Sequence, residues 1–445
     1  MADQDSNPSG SLTESLGAGE AVLLGDLDLS AGAPVPQRDE VEPYLAALLQ
    51  AEHLNLLVGS GLTAGLAHLA DFHGGADMGA GLPIADEKVA AAIEASATRS
   101  AEASGRGAPN IEDRLRTAIS AAEGLACVGD DRSEVIDHAV AAALIALRAS
   151  VASTEAALAA AVDASAGGAM SLRGLLMTFL GSFAGRAPTR DRLHVFTTNY
   201  DRVIEWGAEL AGLRIVDRFV GSLEPVFRSS RLEVDYHYSP PGTVRDPRHL
   251  DGVMRLTKLH GSLDWRWDPD NRRVLRIPLP FGAASTGAAA DLLIFPNAAK
   301  DVETTFHPYA DLSRDFSAAL CRPHTALVTY GYSFGDDHLN RVIKDMLTIP
   351  STHLLIISWD DASGRIARFA QDHRRLGQIS LMIGPSMASL PALVGRWLPW
   401  PSAEFLLQRR AQIYRDRSTG PTGGGQEPDD SSANVSPAAP TPEDD

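Results

Sequence analysis

Cysteine is nearly absent from this chain. Its 445 residues hold two, Cys127 and Cys321, so a disulfide framework is not expected and a four-cysteine zinc site cannot form within one chain. Both thiols are expected to fill space as small apolar groups. Basic residues are also scarce: 39 Lys and Arg stand against 57 Asp and Glu, a formal net charge of −18. Such a balance speaks against nonspecific or sequence-specific nucleic-acid binding and against an anionic membrane surface. Part of the excess lies in residues 418–445, which carry Glu427, Asp429, Asp430, Glu443, Asp444 and Asp445 and no basic residue. Long apolar runs are missing too. The most lipid-like stretch, His138 to Ser165, is interrupted by Arg148, Glu155 and Asp163, and reads as a soluble helix rather than a span of about 20 apolar residues. The N-terminus, MADQDSNPSGSLTESLG, has no basic region followed by an apolar run, so no secretory signal is expected. A cytoplasmic protein with no membrane partner is the expectation.

What is present suits a globular fold. Hydrophobic residues make up 44% and charged residues 22%, both ordinary values. Residues 1–17 and 418–445 are too poor in apolar side chains to order themselves, which leaves 18–417 as the folded body. Val41–Ala51 has helical spacing, and His53–Gly59 (HLNLLVG) reads as a strand buried on both faces. From about 84 to 170 the chain is Ala-rich and helical, an insertion that either covers the sheet or serves assembly. A helix is also expected at Ala403–Arg415. Leu172–Phe183 is a further helix, LHVFTT (193–198) a second strand and Leu213–Phe219 a third. Leu256–Leu259, Val274–Ile277 and Leu292–Phe295 are short strand candidates. Strands and helices then alternate from His324 to Leu398. The alternation predicts an α/β fold: a Rossmann-like parallel sheet flanked by helices, with a helical insertion subdomain and no zinc module. Ligands in such sheets lie beyond the carboxyl ends of the strands.

Four loops at strand ends carry unusual chemistry. Gly59-Ser60-Gly61-Leu62-Thr63 combines glycine turns with the start of a helix, a combination suited to phosphate, although Gly-rich turns are common. Thr198-Asn199-Tyr200-Asp201 offers two compact polar side chains, which can meet a ligand or cap the next helix. Lys258-Leu259-His260-Gly261-Ser262 holds a histidine beside glycine, able to take a proton near neutral pH or to play a structural part. In Gly331-Tyr332-Ser333-Phe334-Gly335-Asp336-Asp337, Gly331 and Ser333 can meet phosphate or ribose, and Asp336 or Asp337 can cap a helix.

Taken in order, GSGLT, TNYD, KLHGS and GYSFGDD resemble the sirtuin-like family, in its divergent bacterial branch of antiphage-defence NAD hydrolases. The resemblance spans about His53 to Trp359 and makes 18–417 an NAD-binding catalytic domain. It implies that Gly59, Ser60, Gly61 and Thr63 hold the NAD+ phosphates, and that Asn199 orients the nicotinamide ribose and a water. It implies further that Asp201 faces the carboxamide, that His260 acts as base on a ribose hydroxyl, and that Gly331 and Ser333 meet the diphosphate or adenine ribose. No metal is implied. The zinc module of deacylating sirtuins has no counterpart here, and Ser358-Trp359 stand where those proteins often carry an Asn for the adenine ribose. Water therefore replaces an acyl oxygen as the nucleophile, giving nicotinamide and ADP-ribose. Constitutive NAD+ loss would be toxic, so the resemblance also implies gating, a homo-oligomer and a partner similar to HerA-type hexameric DNA-translocating ATPases. The competing readings are an NAD-dependent deacylase or ADP-ribosyltransferase, and a noncatalytic nucleotide-sensing scaffold.

Overall fold

Apolar runs four to six residues long, separated by helices, build the core of the chain. A computed structural model describes residues 21–25, 27–29, 36–74, 79–103, 107–163, 165–166, 170–187, 189–231, 234–238, 248–283, 292–294, 307–373 and 377–399. The expected disordered ends and the helix expected at 403–415 lie outside the described residues. A nine-stranded sheet is formed by β1 (Ala21–Leu24), β2 (Leu27–Asp28), β3 (His53–Val58), β4 (His194–Thr197), β5 (Arg214–Val216), β6 (Val253–Lys258), β7 (Thr325–Tyr330), β8 (His353–Ser358) and β9 (Ile379–Ile383). Its spatial order is β2-β1-β9-β8-β7-β3-β4-β6-β5. All strands from β9 to β5 pair in parallel, and β1 adds antiparallel to β9. This is the expected Rossmann-like α/β arrangement.

The order reverses at β3. The chain leaves it to lay β4 on one side, and later returns to lay β7 on the other. Crevices open at such reversals, beyond the carboxyl ends of the strands. Gly59, Thr198–Asp201 and Gly331–Asp336 follow β3, β4 and β7, and His260 follows β6, so one crevice can receive all four loops.

Several elements differ from the sequence expectation. The KLHGS segment is a tight turn at Leu259-His260 leading straight into a strand, Gly261–Asp268. That strand pairs antiparallel with Arg273–Arg276 and Leu292–Ile294. With Val226–Phe227 and Phe219–Val220 they form a separate five-stranded sheet. The expected strand Leu213–Phe219 is thus divided between two sheets. β1 was not anticipated; a strand of four residues carries too little periodicity to announce itself. The helix expected over 386–398 breaks into short turns, because Pro391 cannot donate to a continuous helix.

Between β3 and β4 the described residues include α1 (Ser60–Leu69), the helix Leu172–Ala184 and, from the insertion, three helices, α2 (Glu87–Ala103), α3 (Ile111–Cys127) and α4 (Arg132–Ala160). Alanine lets them approach closely around Ile93, Ile111, Leu115, Ile136 and Val140. The second half of α4 leaves this cluster: Leu147, Val151 and Ala152 pack on Tyr200 and Leu263. By length and hydropathy α4 is able to cross a membrane. Here it is a packed helix whose buried Glu155 pairs with Arg202 at 2.5 Å. The thiols are not both space-fillers. Cys321 packs against the main core, whereas Cys127, at the end of α3, is exposed.

A polar junction at the far edge of the sheet gives a pH test. His353 Nε2 lies 2.8 Å from Tyr44 Oη and 2.9 Å from Ser380 Oγ, which ties the helix Arg38–Leu49 to β8 and β9. Burial pushes the imidazole down from 6.5 to about 4. The unfolded chain therefore binds more protons between those values, and stability is lost as pH falls through that window, by up to roughly 3 kcal/mol. In His353→Asn the slope of urea midpoint against pH is expected to flatten between pH 6.5 and 4. Identical slopes in the two proteins would contradict this.

Candidate functional site

The four loops surround a cleft of about 330 Å³, lined among others by Gly59, Ser60, Thr63, Asn199, Asp201, His260 and Ser333. Each is carried there by the end of a parallel strand or the start of the following helix. Gly61, expected to hold the phosphates, and Gly331, expected to meet the diphosphate or adenine ribose, are not on the wall. They touch each other: a Cβ on Gly61 would lie 2.6 Å from the Cα of Gly331. Gly331 also has φ +60°, which glycine adopts without strain. A Cβ on Gly59 would meet the Gly331 carbonyl oxygen at 2.4 Å. These glycines interlock the turns after β3 and β7, and so bring α1's N-terminus to the cleft. Ser358 is buried at the end of β8 and does not line the cleft, and its neighbour Trp359 is exposed.

Asn199 does not cap the next helix. Its Nδ2 donates to the Gly59 carbonyl at 3.1 Å and to Thr63 Oγ1 at 3.2 Å, and its backbone N–H donates to Thr197 Oγ1 at 3.1 Å. With both amide protons engaged, the side chain is fixed across the crevice between β3 and β4. Among the described residues Oδ1 accepts no hydrogen bond, although Asn199 lines the cleft and is 8% exposed. The site therefore presents one oriented, unpartnered acceptor.

Asp201 lines the cleft and also accepts at the start of the next helix. Oδ1 accepts from the Val203 N–H at 3.1 Å, at the start of helix α5 (Val203–Ala211), and Oδ2 accepts from Thr63 Oγ1 at 2.7 Å. Burial pushes its carboxyl above the ordinary carboxylate range, opposed by the positive Lys258. Lys258 is itself buried. It donates to the carbonyls of Tyr200 and Asp201 and pairs with Glu205 at 3.1 Å. A single ammonium thus braces the loop from beneath.

His260 Nε2 lies 3.0 Å from Asp336 Oδ2. Asp336 Oδ1 accepts from the N–H groups of His338 and Leu339, so the carboxylate caps α6 (Asp337–Met346) while holding the imidazole. A carboxylate on Nε2 selects the tautomer protonated there and leaves the basic lone pair on Nδ1. The turn carrying Asp336 is firmly held. Tyr332 Oη donates to Asn340 Oδ1 at 3.0 Å, and Asn340 Nδ2 donates to the Phe334 carbonyl at 2.9 Å. The latter bond steadies Phe334 at φ +54°.

In the sequence Asp336 reads only as a cap, and neither Tyr200 nor Glu112 stands out. Tyr200 is buried with its ring 6.5 Å from that of His260, and its hydroxyl donates to Glu112 Oε1 at 2.8 Å. Burial, then Glu112, holds the phenol in its protonated form. Asn110, Glu112, Leu147, Val151 and Thr154 also line the cleft, so the helical insertion is one of its walls. The only sequence signal at this wall is the capping pattern Asn110-Ile111-Glu112-Asp113, in which Asn110 and Asp113 exchange hydrogen bonds. That pattern reveals a helix start, not a site. Among the described residues no three His, Cys, Asp or Glu side chains form a group able to hold a metal ion.

The family model described as "SIR2-like domain" matches residues 193–375. That segment is less than half of the chain. It includes TNYD, KLHGS and GYSFGDD, and leaves out the Gly59 turn and the helical insertion. No curated protein matches the chain. The match supports a sirtuin-like family and is compatible with an NAD-using enzyme.

Proposed function

We propose that this chain is an NAD+ glycohydrolase, which breaks the nicotinamide–ribose bond and adds water to give nicotinamide, ADP-ribose and a proton. One observation carries the reading: Asn199 and His260, from loops about sixty positions apart, line a single cleft with the Gly59 turn. Nicotinamide leaves readily from its cationic linkage, so the protein has to position a sugar, orient water and accept a proton. Asn199 Oδ1 is the acceptor that orients water or a ribose hydroxyl, and His260 is the base. Asp201, held by Thr63, faces the carboxamide, while Ser60 and Ser333 flank the phosphates and adenine ribose. Asp336 positions the His260 ring. Gly61 and Gly331 contribute through turn packing rather than through contact.

The wider reading is a gated, cytoplasmic effector of antiphage defence that acts as a homo-oligomer with a HerA-type hexameric ATPase. Its support is the resemblance of the ordered motifs. Incubating NAD+ with the purified protein, alone and with its neighbouring gene product, is expected to yield nicotinamide and ADP-ribose in equal amounts. Formation of acetyl-ADP-ribose when an acetylated peptide is added would instead favour a deacylase. Tight nucleotide binding without any product would favour a scaffold.

A further inference from the structure

A second and larger cleft, of about 770 Å³, is lined by Glu205, Trp206, Glu209, Asp264, Phe281 and Arg276 among others. Its floor holds an electrostatic imbalance. Asp264 is 7% exposed, and its side chain makes no hydrogen bond or ion pair among the described residues; its Oδ1 is wholly buried without a partner. Glu205 gives one carboxylate oxygen to Lys258 at 3.1 Å and leaves the other, Oε2, buried and unpartnered. A buried carboxylate oxygen with nothing to accept costs free energy that a mere wall residue would not carry.

The cations nearby are already committed. Lys258 spends its protons on Glu205 and on the carbonyls of Tyr200 and Asp201. Arg202 acts on Asp264 and Glu205 only through space, its guanidinium being bound to Glu155 and to the carbonyls of Leu279, Pro280 and Ala283. Arg276 pairs with Asp217 and lies 4.9 Å from the ring centre of Phe219. Beside the carboxylates, Trp206 and Phe281 stack at 4.3 Å with an interplanar angle of 7°, giving the cleft a flat aromatic wall.

We propose that this second cleft binds a small planar organic cation of the amidine or guanidine class, whose in-plane N–H groups reach Asp264 and Glu205 while its face lies against the aromatic wall. A delocalised cation suits the place better than an ammonium, because it is less strongly hydrated and its donors diverge in one plane. The proposal stands independently of the reaction assigned to the first cleft. It nevertheless connects the two: Glu205 shares Lys258 with the carbonyls of Tyr200 and Asp201, so a cation on Glu205 competes with the ammonium that braces the catalytic loop.

Benzamidine titrated into the full-length protein in the presence of EDTA, followed by calorimetry, is the direct test. One saturable site is expected, with the neutral isostere benzamide failing to bind. Asp264→Asn and Glu205→Gln are each expected to weaken binding by at least about tenfold, the loss of one charge-assisted hydrogen bond. Trp206→Phe is expected to remove any fluorescence change on binding. Absence of saturable binding in the millimolar range, equal binding of benzamide, or unchanged affinity in a folded Asp264→Asn protein would each overturn the proposal. If Asp264→Asn does not fold, Glu205→Gln decides it by the same criterion. None of these readouts depends on NAD+ turnover.

Discussion

His260→Ala is expected to slow nicotinamide release from NAD+ by about 10²–10⁴-fold, the usual worth of a positioned general base. The loss should fall on kcat, since the imidazole is one wall among many in the cleft and adds little to ground-state binding. Asn199→Ala is expected to cost at least as much. It removes the oriented acceptor and also frees the Gly59 carbonyl and Thr63 hydroxyl that its amide had engaged. Asp336→Asn should cost less, because the amide still reaches His260 but supports the alternative tautomer as readily as the required one. Initial rates by nicotinamide chromatography, with melting temperatures measured alongside, check all three. Undiminished turnover in folded His260→Ala and Asn199→Ala proteins would dispose of the assigned roles.

Glu155→Ala is expected to destabilise the fold by about 3–5 kcal/mol, because it leaves a buried guanidinium without its partner. Glu155 is fully buried, and accepts from the Arg202 N–H at 2.7 Å, from the Arg202 guanidinium at 2.5 Å and from the Gly282 N–H at 3.1 Å. These bonds fasten α4 to the start of α5, one residue beyond Asp201. The half-buried surface pair Arg38–Glu42 is the internal control: Arg38→Ala should cost less than about 1 kcal/mol. Urea midpoints of the two variants check the contrast. Equal, small losses would mean that α4 is held by its apolar face alone.

The parallel sheet was legible because its strands are buried on both faces and therefore run apolar, as in Leu56–Val58 and Leu354–Ile357. The four loops were legible because each joins such a strand to polar or glycine residues. The small antiparallel sheet was not. Its longest strand begins with Gly261-Ser262, residues that favour turns locally, and only tertiary burial of Leu263 and Trp265 draws them into a strand. A place on the cleft wall proved harder to read than a place near it. Gly61 and Gly331 share their motifs with cleft residues, yet lie one layer behind them, because two backbones meet there with no room for a side chain. The wall given by Asn110 and Glu112 comes from a segment without any motif. Its place depends on how α3 and α4 pack, which helical periodicity does not specify.

β7, the neighbour of β3 in the sheet, lies some 270 positions after it in the chain and brings Tyr332, Ser333 and Asp336 with it. A growing chain that has not passed Asp336 therefore lacks a side of the crevice and the group that steadies His260.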